Sequence, residues 1–144
     1  MEIDILNKKL RILVTGGAGF IGGFLVRRLL KETDSIIFNL DKLTYASDLS
    51  GIEKCENRKN HFLLKVDLTN YQNTEKAVLR ANPDLIIHLA AESHVDRSID
   101  NAKPFIESNI LGTFNILEIA KKHWNNLENS RKNSFRFIHV STDE

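Results

Sequence analysis

Near the start of the chain lies the stretch VTGGAGFIGG, in which Gly16, Gly19 and Gly22 follow the spacing G-x-x-G-x-x-G. Residues 10–15 before it are apolar and β-branched like a buried strand, and residues 20–31 after it follow a helical pattern. Gly16 allows a tight turn, Gly19 lets backbone approach a phosphate, and Gly22 lets the helix pack closely. A purely structural glycine turn is the alternative. The strand and helix on either side favour a site for a dinucleotide pyrophosphate at the helix N-terminus.

Four further apolar runs have the length of strands, at residues 35–40, 61–66, 84–89 and 135–140. They show little alternation, which is typical of strands buried on both faces of a parallel sheet. Helical patterns separate them, at residues 20–31, 74–81 and 101–122, with one or two turns expected within 49–56. The alternation predicts an α/β fold, a Rossmann-like doubly wound parallel sheet of about five strands.

Two local expectations concern the covering segments. The first helix is predicted to carry its apolar residues on one broad face, namely Phe20, Phe24, Leu25, Leu29 and Leu30. Residues 125–134, NNLENSRKNS, are predicted to form a polar loop.

The composition is that of an ordinary globular domain, with 42% apolar and 27% charged residues in 144 and a net charge of +1. Such a charge gives no strong attraction to nucleic acid or to an anionic membrane. No apolar stretch is long enough to span a bilayer, residues 1–10 do not resemble a signal peptide, and the single Cys55 cannot form an internal disulfide. We therefore expect a cytoplasmic protein without nucleic-acid, membrane or metal partners.

Asp41 follows the second predicted strand, about 20 residues beyond Gly22, where the dinucleotide fingerprint carries an acidic residue. Its carboxylate can accept both hydroxyls of the adenosine ribose and would repel a 2′-phosphate, so NAD is favoured over NADP. Lys42, the next residue, is a cation and weakens this preference for NAD. The alternative interpretation of Asp41 is a solvated aspartate in a turn.

Other candidate residues follow the next two strands, because the carboxyl ends of parallel strands meet at one edge, where ligands bind. Asp67 and Leu68 are placed to contact the adenine. Ala90 and Ala91, in HLAAES, are small enough for a flat cofactor to lie against backbone.

The chain ends in FRFIHVSTDE, so Thr142, Asp143 and Glu144 come directly after the fifth predicted strand. Hydroxyl and carboxyl groups at the carboxyl end of a buried strand suit chemistry at the ligand edge. Ser-Thr-Asp-Glu is equally a good N-cap sequence for a helix. The local pattern does not decide between these two interpretations.

Four segments, VTGGAGFIG, NLDKLTYA, HLAAESHVDRSI and FRFIHVSTDE, together resemble the extended short-chain dehydrogenase/reductase family. Within it they are most similar to enzymes that dehydrate nucleotide-activated hexoses such as dTDP-glucose. The match extends in order over residues 10–144, which the resemblance identifies as an NAD-binding domain, with 1–9 as an N-terminal extension. The cofactor-binding residues that follow are Gly16, Gly19, Phe20, Ile21, Gly22, Asp41, Lys42, Leu43, Thr44, Asp67, Leu68, Leu89, Ala90, Ala91, Ser93 and Ser108.

The resemblance implies a reaction in three steps: oxidation of the sugar at C4, elimination of water across C5–C6, and return of the hydride to C6. It implies that Glu144 removes the C5 proton and that Asp143 protonates the departing C6 hydroxyl. Two carboxyl groups in different environments can hold the two protonation states that these roles need. Thr142 would hydrogen-bond the C4 oxygen, and Ser93 would also contact the sugar.

The family also uses a tyrosine with a lysine four residues later, and neither tyrosine of this sequence has that partner. Tyr45 is followed at that distance by Leu49, and Tyr71 by Glu75. We therefore expect an incomplete NAD-binding part, cut before the remaining strands and the substrate domain, and inactive by itself. A non-catalytic NAD-binding module remains open, as does a dehydratase or epimerase for another nucleotide-hexose.

Residues 101–122 are apolar on two faces, of which one can cover the sheet while a monomer leaves the other exposed. One stripe consists of Ile106, Ile110, Phe114 and Leu117, and Phe105, Ile116 and Ile119 fall off it. Strand 135–140 is also expected to be an open edge. The resemblance implies dimers through a bundle that includes this helix, so we expect a homodimer.

Overall fold

The computed structural model describes residues 9–45, 47–55, 57–93 and 101–141. Within them five parallel strands form one sheet in the order β3-β2-β1-β4-β5. The strands are β1 (Arg11–Thr15), β2 (Ile36–Asp41), β3 (His61–Lys65), β4 (Leu85–His88) and β5 (Arg136–His139). The predicted Rossmann-like α/β fold is therefore confirmed.

Helices connect the strands and cover both faces of the sheet. They are α1 (Phe20–Glu32), α2 (Ser50–Glu53), α3 (Tyr71–Ala81), α4 (Lys103–Phe105), α5 (Thr113–Asn125) and α6 (Asn129–Ser134), with a 3₁₀ turn at Arg58–Asn60. A π-helical segment, Ile106–Gly112, joins α4 to α5 without a break. These three pieces together are called the long helix below.

Two apolar cores flank the sheet, because successive residues of each strand point to opposite faces. On one face, Ile12 and Val14 of β1 pack with residues of α1 such as Val26. On the other, Leu13 packs in a cluster that includes Ile116 of the long helix. The expected burial on both faces is confirmed for the inner strands β1, β2 and β4, whereas β3 and β5 lie at the ends of the described sheet and are partly exposed.

The prediction that the apolar residues of α1 share one buried face is wrong at the N-terminal end of the helix. Phe20 and Phe24 are 95% and 61% exposed, whereas Gly22 and Gly23 are buried. A Cβ atom added to Gly22 would lie 2.1 Å from the carbonyl oxygen of Gly16. The glycines therefore form the contact face of this turn, which rotates the two phenylalanines toward solvent.

The predicted loop at residues 125–134 is also wrong, because α6 (Asn129–Ser134) lies within it. Arg131 donates from Nε to Asp84 Oδ1 at 2.9 Å, just before β4, and from a terminal nitrogen to the carbonyl of Asn82 at 3.0 Å. Trp124 Nε1 donates to the carbonyl of Lys132 at 3.0 Å. These contacts fix a polar helix for which the local sequence carries no apolar periodicity.

The long helix buries one of its two apolar faces. Ile116 and Ile119 lie in the core, while the other stripe faces solvent and consists of Ile106, Ile110, Phe114 and Leu117. The expected exposure of one face is thus confirmed for the described residues. The position of β5 at an end of the described sheet is confirmed as well. None of the helices described here is long and apolar enough to cross a membrane.

Candidate functional site

The glycine turn lies at the carboxyl end of β1, the central strand, and the exits of β2 and β4 flank it. Gly16 has a φ of +71°, a conformation that side chains disfavour, and its N–H donates to the carbonyl of Leu40 at 2.9 Å. A Cβ atom at Gly16 would lie only 2.8 Å from the backbone nitrogen of Ala90. The tight turn predicted at Gly16 is confirmed, and it lies against the backbone that leaves β4.

The other glycines of the turn have different surroundings. Gly22 packs against the glycine turn itself, because a Cβ atom added there would lie 2.1 Å from the Gly16 carbonyl oxygen. At Gly19 an added Cβ atom would meet a single neighbour, the Gly16 oxygen at 3.3 Å, so the outer side of this residue is open. Sequence reasoning missed Gly17, where a Cβ atom would lie 2.3 Å from the side-chain oxygen of Asn39.

The N-terminus of α1 opens toward the same edge. Gly19 caps the helix without a side chain, and the first intrahelical N–H donor is that of Gly23, which donates to Gly19 at 2.8 Å. The amides of Phe20, Ile21 and Gly22 therefore precede the first helical hydrogen bond and lie at the positive end of the helix dipole. An open glycine next to amides without helical hydrogen-bond partners fits a pyrophosphate.

Asp41 ends β2 and is nine-tenths buried. Its Oδ2 accepts from the N–H of Ala18 at 3.0 Å, and its Oδ1 accepts from the N–H of Leu43 at 2.8 Å. The carboxylate thus ties the glycine turn to the loop after β2. Oδ1 also accepts a longer bond from Ser47 Oγ at 3.4 Å, whereas Oδ2 retains a further lone pair with which it can accept from a ribose hydroxyl.

The loop after β2 docks on the glycine turn. The N–H of Asp48 donates to the carbonyl of Ala18 at 2.8 Å, and Thr44 is held by a 2.9 Å bond from its N–H to Ser47 Oγ. Leu43 adopts a φ of 58° within this loop. The predicted residues Lys42, Leu43 and Thr44 therefore lie at the rim of the site.

Beneath the exit of β4 lies a buried polar network that sequence reasoning did not predict. The N–H groups of Leu89 and Ala90 donate to Thr15 Oγ1 at 3.3 Å each, and that oxygen is 2.6 Å from Nδ1 of His88. His88 Nε2 lies 2.9 Å from Thr113 Oγ1 on the long helix. Because Thr15 accepts the two amides, its hydroxyl proton is directed to Nδ1, and Nε2–H of His88 donates to Thr113.

Burial lowers the pKa of His88 to about 4, with a smaller contribution from His139. The imidazole is therefore neutral near pH 7, as the hydrogen bonds to both ring nitrogens require. This neutral ring holds Thr15 and through it the backbone of Ala90, where a flat cofactor is expected to lie.

The next residues after β4 are held by the long helix. The N–H of Glu92 donates to Asn109 Oδ1 at 2.8 Å, and Asn109 Nδ2 donates to the carbonyl of Glu92 at 2.9 Å. Asn109 thus positions backbone at the edge of the site. Lys42 Nζ lies 2.9 Å from Glu92 Oε1, so the exits of β2 and β4 are joined.

The exit of β3 brings Asp67 to the same edge as an exposed residue whose Oδ1 accepts from the N–H of Thr69 at 2.9 Å. Leu68 is different, because its side chain is buried in the core and its carbonyl accepts from Asn115 Nδ2 at 2.8 Å. The side chain of Leu68 thus packs in the core, and its contact with an adenine stays a prediction.

The remaining predicted residues are less well defined by contacts. Ala91 and Ser93 are exposed after β4, and Ser108 is half-buried in the π-helical segment. The N–H of Val140 donates to the carbonyl of His88 at 3.1 Å, so β5 runs toward this edge. Thr142, Asp143 and Glu144 lie outside the described residues.

The chain matches a family model described as GDP-mannose 4,6 dehydratase over residues 13–144. A dTDP-glucose 4,6-dehydratase of Haemophilus influenzae is 46% identical over 135 residues, which are 94% of this chain and 40% of that protein. Another from Escherichia coli is 47% identical over 94% of this chain and 37% of its own length. The chain thus spans about two fifths of the length of the curated relatives it matches.

Solved structures agree with this match. The dTDP-glucose 4,6-dehydratase of Bacillus anthracis in complex with NAD is 31% identical, with a TM-score of 0.72 over 92% of this chain and 37% of that one. The Streptomyces venezuelae dTDP-glucose 4,6-dehydratase with NAD bound is 34% identical, with a TM-score of 0.73 over 92% and 39%. The resemblance to enzymes that dehydrate nucleotide-activated hexoses is therefore confirmed.

Proposed function

Because the chain belongs to the GDP-mannose 4,6 dehydratase family, we propose that it is the NAD-binding part of a nucleotide-sugar dehydratase. The proposed substrate is dTDP-glucose, in keeping with the names of the relatives at 43–48% identity. Residues 10–144 form the NAD-binding domain in this proposal, and residues 1–9 precede it. The single observation that carries the proposal is the open outer side of Gly19 beside the first amides of α1, which precede its first helical hydrogen bond.

The residues at the carboxyl edge fit a dinucleotide along its length. The N-terminus of α1 would hold the pyrophosphate, and Asp41 would accept from the adenosine ribose. Ala90 and Ala91, with Thr15 and His88 fixing the backbone before them, would lie against the flat ring. When bound, NAD supplies reversible hydride acceptance from the C4 carbon of the sugar.

The proton transfers are assigned to the residues that follow β5. Glu144 takes the proton from C5, and Asp143 gives a proton to the C6 hydroxyl, which leaves as water. The carbon–oxygen bond at C6 breaks as the double bond between C5 and C6 forms. Thr142 hydrogen-bonds the C4 oxygen, and Ser93 contacts the sugar.

By itself, the 144-residue chain is proposed to bind NAD without converting the sugar. Its sequence contains Tyr45 and Tyr71, and neither is followed four residues later by lysine. General acid–base groups supply about 10²–10⁴-fold in rate, so a chain without this pair loses at least that factor. The same observation favours a second candidate, an NAD-binding module that has no catalytic role.

Calorimetric titration of NAD into the chain tests the proposed site. Gly19→Ala adds a methyl group on the open side of the turn, where a pyrophosphate would contact the backbone, and we expect at least a roughly ten-fold loss of affinity. Gly23→Ala is the matched control, because its methyl group would lie 3.4 Å from the nearest atom, a terminal nitrogen of Arg27. Equal NAD affinity in both variants, or no NAD binding by the unmodified chain, would contradict the proposal.

A second assay separates the enzyme fragment from the non-catalytic module. The chain is incubated with NAD and dTDP-glucose, alone and with a separately expressed polypeptide corresponding to the remainder of the relatives' length. Product formed only in the mixture supports the enzyme part, and product formed by the chain alone contradicts the proposed inactivity. Absence of product from a mixture in which the two polypeptides bind each other favours the module.

We also propose that the chain forms a homodimer through the exposed stripe of the long helix. Ile110 and Phe114 are 64% and 58% exposed on a surface that the described residues leave uncovered. Contiguous apolar surface of this kind favours association, and β5 lies at an end of the sheet that the described residues form.

A further inference from the structure

Lys42 presents a difficulty for the proposed preference for NAD. It directly follows Asp41, on the side of the site where the adenosine ribose is proposed to lie. In dinucleotide sites a cation at this point accommodates the 2′-phosphate of NADP. A lysine ammonium serves as a compact phosphate-binding charge, so Lys42 by itself would weaken discrimination against NADP.

The structure gives the ammonium of Lys42 another partner. Its Nζ lies 2.9 Å from Oε1 of Glu92, and the two side chains are 34% and 21% exposed. Strand β1 lies between β2 and β4 in the sheet, so this ion pair spans the carboxyl end of β1. The pair therefore joins the two rims of the crevice in which the dinucleotide is proposed to bind.

The backbone of Glu92 is held in place by hydrogen bonds. Asn109 holds both backbone groups of Glu92 with bonds of 2.8 and 2.9 Å. The Lys42 side is also restrained, because Asp41 on one side of it accepts the amides of Ala18 and Leu43. Fixed backbone on both sides lowers the entropy cost of the ion pair, which is the usual weakness of such pairs near a surface.

The charges at this rim of the site affect the affinity for a 2′-phosphate. Asp41 and Lys42 together have no net charge, and Glu92 makes the cluster of three residues negative by one. We infer that Glu92 is a specificity-determining residue, which neutralises and pins Lys42 and thereby excludes the 2′-phosphate of NADP. This inference rests on the proposed dinucleotide site.

Titrating NAD and NADP into the unmodified chain and into Glu92→Gln tests the inference. Glutamine keeps the length of the side chain and the backbone bonds to Asn109 but removes the negative charge. We expect the ratio of the NADP and NAD dissociation constants to fall by roughly two- to five-fold, the order of a partly exposed ion pair. Glu75→Gln breaks a remote pair with Lys122 and serves as the matched control, whose ratio should stay that of the unmodified chain.

A double variant identifies the group that a freed 2′-phosphate meets. Adding Lys42→Met to Glu92→Gln should abolish the gain in NADP affinity, because the released ammonium is then missing. Glu92→Asp shortens the side chain by one methylene and should lower the ratio of the NADP and NAD dissociation constants by a smaller factor. If the glutamine variant does not fold, Glu92→Asp tests the inference in its place.

The outcomes separate this inference from the proposal on which it rests. An unchanged ratio in Glu92→Gln, or a gain that survives in the double variant, overturns the role of Glu92 while NAD binding stands. An unmodified chain that binds neither dinucleotide overturns the proposed site, and the inference with it.

Discussion

The buried histidine beneath the site leads to a prediction about acid stability. His88 is fully buried, and its pKa is lowered to about 4, against about 6.5 for an ordinary histidine. At a pH between these two pKa values, His88 binds a proton in the unfolded chain but not in the folded chain. The contribution of His88 to stability is therefore complete above about pH 6.5 and is lost as the pH falls toward 4.

The two pKa values determine the size of the effect. At about 1.4 kcal/mol per pH unit, the gap allows a loss of roughly 3 kcal/mol when the titration is complete. At about pH 5 the expected loss relative to neutral pH is roughly 2 kcal/mol. A geometric reason accompanies it, because a protonated Nδ1 would face Thr15 Oγ1, which already accepts the amides of Leu89 and Ala90.

Urea unfolding at about pH 7 and pH 5 measures this loss for the unmodified chain and for His88→Asn. The variant is expected to be less stable at neutral pH, because the bond to Thr113 is lost, but to lose roughly 2 kcal/mol less than the unmodified chain on acidification. His139→Asn is the control and should keep most of the pH dependence, because the charge of His139 is the smaller cause of the low pKa. If His88→Asn loses as much stability as the unmodified chain, the role given to His88 is refuted.

Three further predictions concern packing, the cofactor and association. Gly22→Ala should lower the free energy of unfolding by about 1–3 kcal/mol or more, because the methyl group would collide with a backbone carbonyl. Gly23→Ala should not lower it, and thermal unfolding of the two variants measures the difference in stability. Asp41→Ala should raise the dissociation constant of NAD about ten-fold or more and narrow the discrimination against NADP, and an unchanged constant in calorimetry would contradict its role. Ile110→Glu should convert a dimer to monomer in sedimentation at tens of micromolar, while Leu79→Glu, on exposed α3 surface, should not; a monomeric unmodified chain would refute the proposed dimer.

Except for α6, the type and order of the main elements could be predicted from local sequence. Five apolar runs correspond to the five strands within about one or two residues, as residues 10–15 do to β1 (Arg11–Thr15). For β1, β2 and β4 this agreement has a simple cause, since a strand covered on both faces must be apolar throughout. Gly16 was equally predictable, because a positive φ after a strand strongly favours glycine.

The site was predictable as a set of positions but not as a set of contacts. The sequence placed Asp41 and Lys42 at the exit of β2, yet it did not indicate that Lys42 pairs with Glu92, 50 residues away. His88 and Thr15 were unremarkable members of apolar strands. Their network exists because β1 and β4 are neighbours, with Thr15 directly opposite His88 in the register.

The tertiary structure also decided which apolar surfaces are buried. Two faces of the long helix are apolar in the sequence, and contact with the sheet and α3 buries Ile116 while Ile110 faces solvent. Likewise, α6 forms in a polar segment because Arg131 reaches Asp84 across the fold. Periodicity and backbone preference are properties of neighbouring residues, so local sequence determines most of the elements. The partner of each side chain depends on strand order, which brings together residues that are remote along the chain.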